Sequence, residues 1–178
     1  MGIVHLRTAA LILACSLCTP AQLRLCVHTE PLNFDPLGAS EEASETTRYL
    51  TAGVLIRFNR ATQQLEPGLA TSWKVRDRGQ RIDFVLRRNV LFSDGTPFGP
   101  DDVAATIRRL NDTNLHSGIA DSFRVGRGEI RANVSGPDAV SVLFPAPVAG
   151  LELLFDQLAI MPAHGNVERV VLGPFMVD

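Results

Sequence analysis

The motifs that carry most enzymatic and metal chemistry are missing from this sequence of 178 residues. It contains no Gly-x-Ser-x-Gly nucleophile elbow. Its four histidines, His5, His28, His116 and His164, do not form a His-Glu-x-x-His zinc motif. Gly126-Arg127-Gly128 lacks the third glycine and the preceding strand of a dinucleotide-binding loop, so it is interpreted as a turn. These absences predict a protein that is not an enzyme and that needs no metal or cofactor.

The sequence is also not strongly acidic or strongly basic. The 17 basic and 19 acidic residues give a net charge of −2, which provides no basic patch for a nucleic acid. The sequence has no internal repeat and no low-complexity tract. Helix-like and strand-like patterns alternate along the chain, which predicts a mixed α/β (α+β) architecture.

Cysteine is scarce, with three residues in all. Cys15 and Cys18 lie in the apolar N-terminal segment, so removal of that segment would leave Cys26 alone. An intramolecular disulfide is therefore excluded from the mature chain. Because Leu25 and Val27 flank it, Cys26 is interpreted as a buried strand cysteine.

Long apolar runs are absent except near the N-terminus. The run from Thr8 to Cys18 is too short to span a bilayer but fits the hydrophobic region of a signal peptide. Residues 1–21 are therefore predicted to be a signal peptide cleaved before Gln22. Alternatively, Ile12-Leu-Ala-Cys15 resembles a lipobox, which would leave a lipid on Cys15. Both alternatives predict an exported protein.

A β-hairpin is predicted over residues 70–86. Segments 70–76 and 81–86 are strand-like, and the polar, glycine-containing stretch between them is typical of a turn. Ile82, Phe84 and Leu86 alternate with polar residues, which gives one buried face and one solvated face. Trp73 is predicted to pack against this unit rather than to stack on a ligand.

A turn and a helix follow. Asp94-Gly95 marks the turn, and Pro100 is suited to the first position of a helix that runs to about residue 111. Asp101 and Asp102 are paired carboxylates, but their position after Pro100 favours helix capping over acid/base chemistry. The spacing of Val103, Ile107 and Leu110 predicts a buried face of this helix.

The remaining elements are placed by the same rules. Ser40 is predicted to cap a helix with Glu41 and Glu42 in its first turn. The other predictions are strands at 23–28 and 54–58, a turn at 59–64, a surface segment at 115–128, a hairpin at 129–133 and 139–144, an amphipathic helix around 151–158, and a linker at 163–168.

The order of these features resembles one family. Residues 69–103 are similar to the family 5 extracellular solute-binding proteins, which are the peptide- and nickel-binding receptors of ABC importers. The similarity lies in the order of LATSW, the hairpin, LRRNVLFSDGTPF and DDV. The segments EP, FDP, LEPGLA and LGPF, over residues 30–175, match as well. Ser93 stands where many relatives have a histidine, so no role of that histidine is transferred.

The resemblance implies an incomplete lobe of the periplasmic-binding-protein type II fold, with a small antiparallel β-rich domain. It divides the chain into the signal peptide at 1–21, a first piece of lobe I at 22–45, the small α+β domain at 46–165 and a return into lobe I at 166–178. Family members are much longer than this chain. A single wall of a two-lobed clamp is expected to bind peptides weakly or not at all.

The resemblance also implies a function. It predicts a monomeric, extracytoplasmic or periplasmic substrate-binding component of an ABC importer, which binds a peptide or similar solute and docks on a permease in the inner membrane. The loop after Asp35-Pro36 lines the ligand cleft in relatives, which points to Ser40, Glu41 and Glu42. A carboxylate there would meet a peptide amino group, although helix capping explains these residues equally well. The alternative is a vestigial or repurposed interaction module without a transport role.

Overall fold

A four-stranded antiparallel sheet is the largest element of the computed structural model, which describes residues 26, 28–38 and 40–176. Its strands are β3 (Ala70–Arg76), β4 (Arg81–Leu86), β5 (Arg131–Gly136) and β6 (Ala139–Leu143), in the order β3-β4-β6-β5. The two outer pairs are sequential hairpins, and β4 and β6 join them in the centre. The mixed architecture and both predicted hairpins are confirmed.

A second, two-stranded sheet lies outside this one. It pairs β1 (Ile56–Asn59) with β2 (Gln64–Pro67) around a tight turn. The prediction of a strand at 54–58 is confirmed with a small shift, and Val54 instead forms an isolated bridge with Ala159. β2 was not predicted, because a strand of sequence QLEP carries a single aliphatic residue and ends in proline.

In the part of the chain that the structure describes, four helices accompany the sheets: α1 (Glu42–Thr51), α2 (Pro100–Leu110), α3 (Gly118–Phe123) and α4 (Leu154–Gln157). Pro100 occupies the first turn of α2 as predicted, and Val103, Ile107 and Leu110 are buried. A short 3-10 turn, Leu151–Leu153, leads into α4, so the predicted amphipathic helix is present as two consecutive pieces.

The core lies between the large sheet and these helices. Ile82, Phe84 and Leu86 project into it from β4 in the predicted alternation. Phe155 from α4 lies at its centre, with its ring centroid 4.8 Å from that of Phe84 and 5.6 Å from that of Phe123. Aromatic pairs at these separations add stabilisation beyond that of apolar burial. Trp73 packs against the core at its margin, as predicted.

The predictions for residues 115–128 and for Cys26 are wrong. Residues 115–128 were expected to be a surface segment, but they contain α3, whose Ile119, Ala120 and Phe123 are buried. The helix forms because the Ser117 hydroxyl accepts a hydrogen bond from the Ala120 amide at 3.1 Å. Cys26 is exposed rather than buried.

Several predictions concern residues outside the described part of the chain. These are the signal peptide at 1–21, lipidation at Cys15 and most of the strand at 23–28; within that predicted strand, Cys26 and His28 are described and are not in strand conformation. Among the described residues, no helix has the length and apolar character needed to cross a membrane.

Candidate functional site

The segment predicted to line a ligand cleft follows Asp35-Pro36, and residues 31–38, here called the Asp35 loop, lead into it. This loop lies against the start of α1. The Leu32 amide donates to Glu41 Oε1 at 3.0 Å, and the Ser44 hydroxyl oxygen lies 2.9 Å from the Asn33 carbonyl. Leu37 is fully buried and anchors the loop in the core. The loop therefore has a defined conformation fixed at several points.

Asp35 organises the turn within the loop. Its Oδ1 accepts the Leu37 amide at 3.1 Å, and its backbone carbonyl accepts the Gly38 amide at 3.0 Å. Its other carboxylate oxygen, Oδ2, forms an ion pair with Arg109 of α2, 74 residues away. Such an Asx-type turn explains why an aspartate precedes Pro36.

Glu41, one of the three predicted ligand residues, caps α1. Its Oε1 accepts the Ser44 amide at 3.1 Å and also a bond from the Ser44 hydroxyl. The hydrogen bond from the Ser44 hydroxyl, followed by that from the Leu32 amide, lowers the pKa of Glu41 below its ordinary value. The prediction that Ser40 caps this helix is wrong. Instead, Glu41 is the N-cap residue, because its longer side chain extends to the amide of Ser44, three residues later in the chain.

Ser40 and Glu42 lie on either side of this cap. Both are exposed, and Glu42 occupies the first position of α1. Ser40 lines a surface groove of about 1130 Å³, whereas Glu41 and Glu42 are not among the residues that form its wall. The three predicted residues are thus neighbours in the chain but face different surroundings.

The groove itself runs between α1, β1 and the end of α4. Most of its charged side chains already have partners. Arg48 pairs with Glu45 at 2.6 Å and donates to the Gln157 carbonyl at 2.9 Å, and Asp156 accepts the Phe58 amide at 2.8 Å. Tyr49 also lines it and is 78% exposed. The groove offers aromatic surface and hydrogen-bonding groups, which suit binding rather than covalent chemistry.

The rest of the described chain adds no metal chemistry. Within it, no group of three or more His, Cys, Asp or Glu side chains is placed to hold a metal ion. Asp101 is exposed, and Asp102 is buried with both carboxylate oxygens hydrogen-bonded, so the capping interpretation of this pair is confirmed for Asp102.

Arg109 was missed by the sequence analysis. Its ion pair with Asp35 joins α2 to the Asp35 loop. The apolar spacing on α2 identified the buried face but gave no reason to pair this arginine with a residue 74 positions earlier. The only local sign of a structural role for Arg109 was its position directly before Leu110, which is buried.

Solved structures define the class of protein to which this fold belongs. The structure of NikZ from Campylobacter jejuni with Ni(L-His) matches with a TM-score of 0.65 and 26% identity, over 76% of this chain and 26% of that one. The oligopeptide-binding protein AppA from Bacillus subtilis, solved with a nonapeptide, matches with a TM-score of 0.65 and 21% identity, over 75% of this chain and 26% of that one. The described residues thus have the fold of part of a periplasmic binding protein.

The family follows from the sequence. Residues 64–178 match the model of the bacterial extracellular solute-binding proteins, family 5 (middle), and the chain belongs to this family. A curated relative, the di/tripeptide-binding protein 1 of Pseudomonas aeruginosa (strain UCBPP-PA14), is 33% identical over 114 residues, 58% of this chain. The chain spans about a fifth (21%) of that relative's length. Proteins of this family bind solutes and are not enzymes, and the resemblance found in the sequence is confirmed.

Proposed function

We propose that this chain is part of the extracytoplasmic substrate-binding component of an ABC importer for peptides. The observation that carries the proposal is the family match over residues 64–178 together with a relative named for di- and tripeptide binding. In a two-lobed receptor the ligand enters between the lobes, closure buries it, and the closed form docks on a permease. The residues described here would provide one wall of that clamp.

The ligand contacts are proposed at Ser40, Glu41 and Glu42. Because Glu41 Oε1 is engaged by Leu32 and Ser44 and its Oε2 is buried, the exposed Glu42 is the carboxylate that a charged amino group can reach. A charge-assisted hydrogen bond is roughly twice as strong as a neutral one, so this contact would favour ligands with a free N-terminus. Ser40, two residues earlier in the chain, would supply a hydroxyl from the wall of the groove.

The 178 residues alone are expected to bind a dipeptide with a dissociation constant of about 1 mM or weaker, because tight binding needs 70–90% of the ligand surface to be buried. Titration of Ala-Ala into ¹⁵N-labelled protein should shift the amide resonances of residues 40–46. Acetyl-Ala-Ala, which lacks the amine, should not shift them. Glu42→Gln should remove the response, whereas Glu168→Gln, an exposed glutamate far along the chain, should preserve it.

Two results would count against this assignment. The first is the absence of any shift at residues 40–46, and the second is an equal response to the acetylated peptide. Submicromolar binding of Ala-Ala would contradict the expectation that a single wall binds weakly.

Export is proposed for the same protein. Residues 1–21 would act as the signal peptide with cleavage before Gln22, or Cys15 would carry a lipid after cleavage in front of it. Mass spectrometry of the mature protein from a membrane and a soluble fraction distinguishes a chain beginning at Gln22 from one beginning at a lipid-modified Cys15. An uncleaved N-terminus in both fractions would refute export by this route. The mature protein is proposed to be a monomer, which light scattering would test.

A further inference from the structure

The Asp35 loop contacts two helices. Its contacts with α1 involve residues that follow shortly after it in the chain, whereas its contact with α2 is made by Arg109, which is distant in sequence. Near α1 the contacts are Leu32 with Glu41 and Asn33 with Ser44. On the other side, the Asp35 carboxylate meets Arg109, and the two side chains are 17% and 33% exposed. This ion pair is therefore partly shielded from water, which reduces its screening.

Arg109 belongs to a row of polar residues on one face of α2. Asp102, Thr106 and Arg109 are spaced four and three residues apart, so they lie above one another on the helix. Asp102 Oδ1 accepts the Ala163 amide at 2.8 Å, and Thr106 Oγ1 accepts the Met161 amide at 3.1 Å. Two members of the row thus fix the segment after α4, and the third reaches the Asp35 loop.

The guanidinium group of Arg109 makes two contacts at once. Its Nη2 meets Asp35, and its Nη1 lies 3.1 Å from the sulfur of Met161. A planar fork with several donors makes such paired contacts, and the single ammonium of a lysine does not reproduce them. Arg109 therefore links the Asp35 loop to Met161 in the segment after α4, whose backbone amide is hydrogen-bonded to Thr106.

We propose that Arg109 is a positioning residue that fixes the Asp35 loop in the conformation required for ligand binding. The inference rests on the proposed function, in which residues 40–42, which follow the loop in the chain, contact the ligand. A loop held in place before the ligand arrives loses less conformational entropy on binding. Arg109 acts through Asp35 and does not touch the ligand.

Hydrogen exchange of the full chain tests this without any ligand. Arg109→Gln should speed exchange of the Leu37 and Gly38 amides by about twofold to fivefold, the range for a partly exposed ion pair. Protection of the sheet strands should be unchanged. Arg109→Lys should restore part of the protection, because it keeps the charge but loses the fork. The matched control is Arg88→Gln, which removes an exposed arginine paired with Asp138 at 2.7 Å.

A second variant keeps the test decisive if Arg109→Gln lowers global stability. Asp35→Asn retains an oxygen for the Leu37 amide but removes the charge that Arg109 meets. It should speed loop exchange in the parent and add nothing in the Arg109→Gln background. Unchanged exchange at Leu37 and Gly38 in Asp35→Asn, or fully additive effects of the two changes, would overturn the proposal.

The outcome is separable from that of the proposed function. If dipeptides leave residues 40–46 unshifted but exchange in the loop depends on Arg109, the ligand assignment fails while the anchoring stands. If dipeptides bind and Arg109→Gln changes neither loop exchange nor the dissociation constant, the anchoring fails alone. Binding that weakens by a similar twofold to fivefold in Arg109→Gln and recovers in Arg109→Lys supports both.

Discussion

Oδ1 of Asp102 lies 2.8 Å from the backbone nitrogen of Ala163, while Oδ2 of the same carboxylate lies 2.8 Å from the backbone nitrogen of Gly99. One side chain therefore caps the start of α2 and also fixes the segment that follows α4. Asp102 is 8% exposed, so water does not readily replace either partner.

Asp102→Ala should lower the free energy of unfolding by about 2–3 kcal/mol, because it leaves two amides without their acceptor and removes a helix cap. Urea denaturation monitored by circular dichroism measures the change. Asp101→Ala is the matched control, since Asp101 is exposed in the same turn and its replacement should cost less than about 0.5 kcal/mol. Equal losses for both variants would show that Asp102 contributes only its charge near the helix terminus.

Ser93→Ala should weaken attachment of the segment 169–171. The Ser93 hydroxyl accepts a hydrogen bond from the Val171 amide at 3.1 Å and donates one to the Arg169 carbonyl at 3.4 Å. The hydrogen bond from the Ser93 amide to the Val171 carbonyl, at 2.9 Å, does not involve the side chain and should remain in the variant. We expect a loss of about 1 kcal/mol and faster hydrogen exchange at Val171. Ser122→Ala removes a hydroxyl on the exposed face of α3 and should leave Val171 exchange unchanged.

Gly173→Ala should be among the most damaging single-methyl additions. A Cβ at this position would overlap the carbonyl carbon of Thr51, and the Gly173 amide already donates to the Thr51 carbonyl at 2.6 Å. Because backbone atoms cannot move aside cheaply, we expect a loss of about 1–3 kcal/mol. Gly118→Ala meets no atom within 4 Å and serves as the control, expected to be neutral or stabilising. A neutral Gly173→Ala in thermal unfolding would show that the chain passes Thr51 less closely.

Asp83 should make stability dependent on pH in the acid range. Burial raises the pKa of Asp83, but the hydrogen bond from Ser141 and the charges of Arg81 and Arg76 outweigh burial, so the net pKa lies below its ordinary value of 3.8. A group with a lowered pKa in the folded state contributes stability above its unfolded pKa and loses it as the pH falls through the folded pKa. Its contribution should therefore be present at pH values well above 3.8 and be lost as the pH falls past 3.8 and through the lower folded pKa.

Urea denaturation at pH 7 and pH 3 checks this expectation. Asp83→Asn should reduce the difference in unfolding free energy between the two pH values. A pH dependence that is the same in Asp83→Asn and the parent would assign the acid sensitivity to other groups.

The sequence predicted the elements whose cause is local. β3 and β4 begin and end at the predicted residues, because alternation of Ile82, Phe84 and Leu86 selects one buried face. α2 was predictable since Pro100 and two aspartates define its start. α3 was missed because glycine and polar residues dominate its surroundings, although Ser117 at its N-cap and the apolar Ile119 and Phe123 were readable signals.

The candidate site was predictable only in part. The resemblance singled out the loop after Asp35, but it did not distinguish Glu41, which caps α1, from Glu42, which is exposed. That distinction depends on the Leu32 amide and the Ser44 hydroxyl, which converge on Glu41 only after the loop folds back. The ion pair between Asp35 and Arg109 spans 74 positions, and no local pattern encodes such a distance.

Within the described residues, the large sheet ends at β3 on one side and at β5 on the other. Each of these outer strands contains a break in register, between Ala70 and Ser72 in β3 and between Val134 and Gly136 in β5. The exposed Lys74 on β3 and Arg131 on β5 add positive charge along both borders. Irregular, charged borders are poor templates for an incoming strand from another molecule, so concentrated preparations of this protein should resist fibre formation and stay dispersed.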